Sequence, residues 1–152
     1  MQKKTIREAR KLITYDTKEF CVNRLIDLVQ NSRLILSDRE ETQAWTQKEK
    51  SKFIESLLLR IQIPILCFSQ TENNTLEIID GYQRVKTLVE FCNDQFSLVE
   101  LSIVSDVNGC LFNDLPDRIK EQLLSNTMRA IVLDLKTREE IKKELYERFN
   151  KN

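Results

Sequence analysis

Phe53, Ile54, Leu57, Leu58 and Ile61 recur three and four residues apart, the spacing that puts side chains on one face of a helix. Thr46, with Glu49 three residues on, forms a capping box at the start of that run, so the pattern predicts a helix over 47–61. The period then changes. Ile63 to Phe68 and Leu76 to Ile79 read as strands, with Asn73-Asn74 as the hairpin turn between them. Val85, Leu88, Val89 and Cys92 return to helical spacing, as do Val22, Leu25, Ile26 and Val29 nearer the N-terminus. Phe96, Leu98, Leu101 and Ile103 predict short extended segments, and Asn108-Gly109 predicts a turn. Pro116 fits the first turn of a helix with Ile119 and Leu123 inward, and Met128 to Leu135 reads as an apolar strand. Thr137 and Glu140 repeat the capping-box pattern before Ile141, Leu145 and Phe149. Helices interleaved with a few strands predict an α+β (mixed α/β) domain with a small sheet.

Composition narrows the class. With 152 residues, 41% hydrophobic and 32% charged, the chain is one soluble domain that buries about two-thirds of its unfolded surface. Two glycines and two prolines argue against linkers and low-complexity segments. No apolar run approaches the roughly 20 residues of a membrane span, and the polar N-terminus lacks the apolar core of a signal peptide; a cytoplasmic location is expected. Cys21, Cys67, Cys92 and Cys110 are too far apart for a CxxC pair and read as reduced thiols. Histidine is absent, which removes triads, zinc sites and histidine-based nuclease chemistry from this chain alone. Twenty-four basic residues balance twenty-four acidic ones. Residues 1–12 nevertheless set Lys3, Lys4, Arg7, Arg10 and Lys11 against Glu8, a basic arm that reads as a solvated tail or a nucleic-acid contact.

The chemistry concentrates where the strand ending at Ile79 passes through Asp80-Gly81 into a helix carrying Arg84. A helix start leaves about four amides without intrahelical partners and carries roughly half a positive charge. Glycine lets such a backbone take φ > 0 and approach a ligand. Arg84, permanently charged and forked, is the candidate phosphate clamp, with the amides from Gly81 to Gln83 as further donors. The bland alternative is an Asp-Gly turn in which Asp80 satisfies turn amides.

Asp80-Gly81-Tyr82-Gln83-Arg84, followed by Val85-Lys86-Thr87-Leu88, resembles the Asp-Gly-Gln-Gln-Arg signature of the N-terminal domain of GmrSD-type restriction endonucleases, a family with a ParB/sulfiredoxin-like fold. Trp45 with Lys52 to Leu59, Ile61-Gln62-Ile63-Pro64, Asn108-Gly109 with Phe112 to Pro116, and Glu147 to Asn150 resemble its flanking blocks in the same order. The resemblance implies a small mixed sheet flanked by helices. It divides the chain into a basic arm, 1–15, and a single domain, 16–152, without the helical and nuclease region into which relatives continue.

The function so implied is binding of a nucleoside triphosphate with Mg²⁺, with hydrolysis as its active form, in a DNA restriction or phage-defence system. DNA and a nuclease subunit or domain are the further partners. Asp80, Gln83 and Arg84 would carry catalysis, Asp80 through Mg²⁺, and Gly81, Tyr82, Arg84, Lys86 and Thr87 would bind the nucleotide. Glu55 and Asn150 are secondary candidates, against plain roles as a solvent-facing helix residue and an end cap. Where the family has Gln-Arg before its tryptophan, this chain reads Glu41-Thr42, with Arg39 as the substitute in a shifted register. The alternative is a DNA-binding or protein-interaction adaptor of the same fold with a degenerate nucleotide site. Trp45 reads as a core or helix-entry anchor in preference to a base-stacking platform.

Overall fold

Thr46 caps a helix as its spacing predicts: its hydroxyl accepts from the Glu49 amide while the Glu49 carboxylate accepts from the Thr46 amide, and α3 (Gln47–Leu58) follows. The structure is a computed structural model and describes residues 4–37 and 43–150. The other elements are α1 (Ile6–Arg10), β1 (Tyr15–Cys21), α2 (Val22–Gln30), β2 (Leu34–Ile35), β3 (Leu66–Thr71), β4 (Thr75–Asp80), α4 (Tyr82–Cys92), α5 (Asp117–Ser125), β5 (Thr127–Leu133) and α6 (Glu139–Asn150). The fold is α+β.

The five strands form one mixed sheet in the order β1-β5-β3-β4-β2. β1 runs antiparallel to β5 and β3 antiparallel to β4, while β3–β5 and β2–β4 are parallel. Alternation along the strands splits the apolar residues between two faces. Leu66, Phe68, Ile78, Ala130 and Val132 join the main core with Leu25, Ile54, Leu88 and Leu123 from the helices. Cys67, Ile79 and Leu133 face the other way, against Tyr146 of α6. The sheet is therefore covered by helices on both sides, with α6 alone on the smaller face among the described residues.

Helix ends depart from the predicted boundaries for one recurring reason. α3 stops at Leu58, short of Ile61, because Arg60 turns left-handed (φ 58°) and the amides of Arg60 and Ile61 bond back to Leu57 and Ser56, the Schellman closure. Ser32 after α2 and Asp94 after α4 do the same, each at φ 58°. With so few glycines, three C-terminal caps are built from serine, arginine and aspartate. The strand predicted from Ile63 begins at Leu66 instead: Pro64 has no N–H for a ladder, and its carbonyl is taken by Arg84.

The extended segments predicted at Phe96 to Ile103 are not strands. This stretch is a loop whose backbone groups are satisfied by side chains: Ser51 accepts from Val99, Asn108 from Leu101, and Glu55 from both Ile103 and Val104. The capping box predicted at Thr137–Glu140 does not form either. The Thr137 hydroxyl is buried without a partner among the described residues, and α6 buries Lys142 and Tyr146, with Ile141 and Leu145 half-buried beside them and Phe149 exposed. In the basic arm, residues 6–10 form the short exposed helix α1, and β1 adds an edge strand that its polar sequence did not announce.

Candidate functional site

β4 ends at Asp80, Gly81 takes φ 107°, and α4 begins at Tyr82. This residue must be glycine: a Cβ there would lie 2.3 Å from Cδ2 of the fully buried Leu66. No side chain at the N-cap position caps α4, so the Tyr82 and Arg84 amides of its first turn have no intrahelical acceptor. The Gly81 amide pulls the Asp80 carboxyl down in pKa, as the amide of an Asp-Gly turn does.

Arg84 reaches back over the bend. Its guanidinium donates to the Pro64 carbonyl and lies 3.4 Å from Asp80 Oδ2, so two of its five N–H donors have partners. Burial dominates the protonation of both groups. It pushes the Asp80 carboxyl up, against the opposing pull of Arg84 and the Gly81 amide, and pushes Arg84 down, against Asp80. Burial, helped by the Asp80 charge, also takes the neighbouring Cys67 thiol up to about 12, an inert protonated thiol at neutral pH. The four cysteines are free.

Asp80, Gly81, Tyr82, Gln83 and Arg84 line a single cavity of about 230 Å³ together with Ser37, Gln43, Trp45 and Tyr146. The Gln83 carboxamide oxygen accepts from the Trp45 amide at 3.3 Å, and the Trp45 ring packs 5.7 Å from Phe53, so this tryptophan anchors the entry of α3 beside the cavity. Ser37, Gln43 and Tyr146 have no signal in the sequence, being isolated polar residues on three separate segments. Ser37 brings a buried hydroxyl with no partner among the described residues.

The other candidates lie apart. Thr87 is fully buried and donates to the Gln83 carbonyl one turn back. Lys86 is outside the lining, its ammonium 5.8 Å from the Tyr82 ring centre. Glu55 is buried under the 93–104 loop, neither at the cavity nor solvent-facing as the alternative had it. Asn150 closes α6, and its side chain lies outside the described part. Arg39, Glu41 and Thr42 lie outside the described residues.

The model of the GmrSD restriction endonuclease N-terminal domain matches residues 41–152. The chain belongs to this family. No curated protein and no solved structure matches it significantly. Membership places the GmrSD-type domain in a restriction, phage-defence setting. Among the described residues no helix is long and apolar enough to cross a membrane, and no cluster of three or more Cys, Asp or Glu is placed to hold a metal. Among the described residues Asp80 is the only carboxylate lining the cavity, and Mg²⁺ fits such a lining in the form in which it accompanies phosphates, with a single carboxylate and ligand oxygens around it.

Proposed function

We propose that this GmrSD-type domain binds a nucleoside triphosphate, with the phosphates seated at the Asp80–Arg84 bend. One observation carries the reading: the Tyr82 and Arg84 amides of a first turn without a side-chain cap, and a guanidinium with three N–H donors uncommitted among the described residues, border the same cavity. The amides and Arg84 meet the phosphate oxygens, which are strong acceptors for charge-assisted bonds. Asp80, beside Arg84, would hold Mg²⁺ carried in on those phosphates, and the metal would supply charge neutralisation. Gln83, held by Trp45, and the Ser37 hydroxyl supply polar contacts inside the cavity. In a restriction system such a domain gives the nuclease a nucleotide-dependent state, with cleavage supplied by a nuclease partner.

A second reading, an adaptor with a degenerate nucleotide site, draws on the bonds Arg84 already makes to Pro64 and Asp80, which give it a purely structural role. Thermal melting with ATP, GTP, CTP or UTP plus Mg²⁺ separates the two. Saturation at about a hundred times the dissociation constant stabilises by about 2.7 kcal/mol, a rise of roughly 5–10 °C for a domain of this size. Arg84→Gln keeps a donor for the Pro64 carbonyl but loses the charge and fork; it is expected to fold and to lose most of the shift. No shift with any triphosphate establishes the adaptor reading, and a shift that survives in a folded Arg84→Gln variant places the phosphates elsewhere.

A further inference from the structure

A second cavity, of about 290 Å³, opens at the other end of β4, beside the β3–β4 hairpin. Lys18 on β1, Arg24 in the first turn of α2 and Arg33 in the turn before β2 line it, and among the described residues no carboxylate does. All three cations are exposed, and none makes a hydrogen bond or ion pair with the described residues. Some cations elsewhere are paired, as in Lys50–Glu90, Lys142–Glu77 and Arg148–Glu144, whereas these three converge on one cavity. A net charge of zero therefore hides a concave surface of charge +3 over the apolar floor of Phe20, Leu76 and Val132.

The cations stand on fixed backbone. β1 is paired along its length with β5, the Val22 amide at the head of α2 bonds the Asn126 carbonyl, and the Arg33 carbonyl accepts from Leu76 at 2.7 Å. Like charges held together over a low-dielectric floor focus a positive potential that only an anion relieves. The kind of anion follows from the geometry. α2 starts beside this cavity without a side-chain cap, but its Val22 amide is committed to the Asn126 carbonyl and no glycine is among the lining residues, in contrast to the bend at Asp80–Arg84. The cavity instead presents three solvent-reaching cations from three elements, which suits successive phosphates along a strand.

We propose that this cleft holds the phosphodiester backbone of a nucleic-acid strand. The bend site is about 17 Å away along β4, and the inference does not rest on nucleotide binding there. The probe is a fluorescein-labelled mixed-sequence oligodeoxynucleotide of about 20 nucleotides, single-stranded and as a duplex, titrated by anisotropy between about 50 and 200 mM salt. Three phosphate contacts predict slopes of log affinity against log salt of about −2 for the single strand and about −3 for the duplex. The single-strand affinity then falls roughly 15-fold over that range. Each of Lys18→Gln, Arg24→Gln and Arg33→Gln is expected to reduce the slope by about a third, and the triple variant to abolish binding with its melting temperature unchanged. Arg7→Gln with Arg10→Gln, in α1, leaves the slope as it was. No binding at low salt, a triple variant that binds like wild type, or a slope that depends on α1 instead overturns the proposal. So does uptake of inorganic triphosphate that the triple variant loses while neither oligonucleotide binds.

Discussion

Replacing Gly81 by alanine tests the bend on which the proposed nucleotide site is built. Two costs follow from the structure. The backbone at φ 107° penalises any L side chain, by about 1–2 kcal/mol. The new methyl also overlaps Cδ2 of Leu66 at 2.3 Å, and overpacking a fully buried position costs about 1–3 kcal/mol. The stiffer unfolded chain returns about 0.4–1 kcal/mol, which leaves a net loss of about 2–4 kcal/mol. For this length the loss corresponds to a melting temperature lower by about 5–15 °C. Urea unfolding of the single and double variants with Leu66→Ala isolates the contact. Leu66→Ala alone opens a cavity and costs about 2–5 kcal/mol, but in the Gly81→Ala background it also relieves the overlap, so the pair should be milder than the sum by about 1–3 kcal/mol. Strict additivity would refute the steric account, and a Gly81→Ala domain as stable as wild type would refute the bend geometry altogether.

Ser32→Gly and Arg60→Gly, at left-handed C-terminal caps, are expected to stabilise by about 0.5–1 kcal/mol each, the left-handed penalty less the unfolded-state entropy of glycine; additive gains in urea midpoints check this. Glu55→Ala removes the carboxylate that accepts from the Ile103 and Val104 amides, so a loss of about 3–5 kcal/mol is expected, with faster hydrogen exchange at those two amides as the signature. Asp80→Asn isolates a pH effect of definite sign. Because burial raises the Asp80 carboxyl above its ordinary 3.8, its contribution to stability is complete below that pH and is lost as pH rises through the raised value. The variant therefore gains on wild type across that window in pH-dependent urea melts and holds a constant difference above it; a gain that grows toward acid contradicts the burial.

What could be read from the sequence and what could not differ by the range of the interactions involved. The Thr46–Glu49 box, the Asn73-Asn74 turn, the α4 face and the Asp80-Gly81 bend are specified within a few residues, and each stands where its spacing put it. The loop at 93–104 failed because its apolar residues are buried without a ladder: three side chains 7 to 49 positions away supply the hydrogen bonds that a neighbouring strand would supply. β1 was missed because it is an edge strand with its first five residues exposed, which leaves no apolar alternation to detect. Glu55 was misplaced because helical phase identifies a buried face only when the residues on it are apolar, and here the buried position is a carboxylate.

The same distinction separates the two proposed anion sites. At the bend, Asp80, Gly81 and Arg84 are neighbours in sequence, so a motif can carry them, and the contacts that orient Arg84 are made before any ligand arrives. Its bond to the Pro64 carbonyl fixes the plane of the guanidinium, and a donor already held in place gives up less side-chain entropy when it meets a phosphate. A structural tether and a phosphate clamp are thus compatible in one residue, provided that the tether uses only part of the fork. In the basic cleft nothing is local. Lys18, Arg24 and Arg33 are unremarkable surface cations until β1, α2 and the turn before β2 converge, and the fold alone turns a neutral sequence into a positive groove. Because β4 separates the two sites, each has variants that leave the other intact: Arg84→Gln should leave the oligonucleotide salt slope unchanged, and the triple variant of the cleft should leave the triphosphate melting shift unchanged.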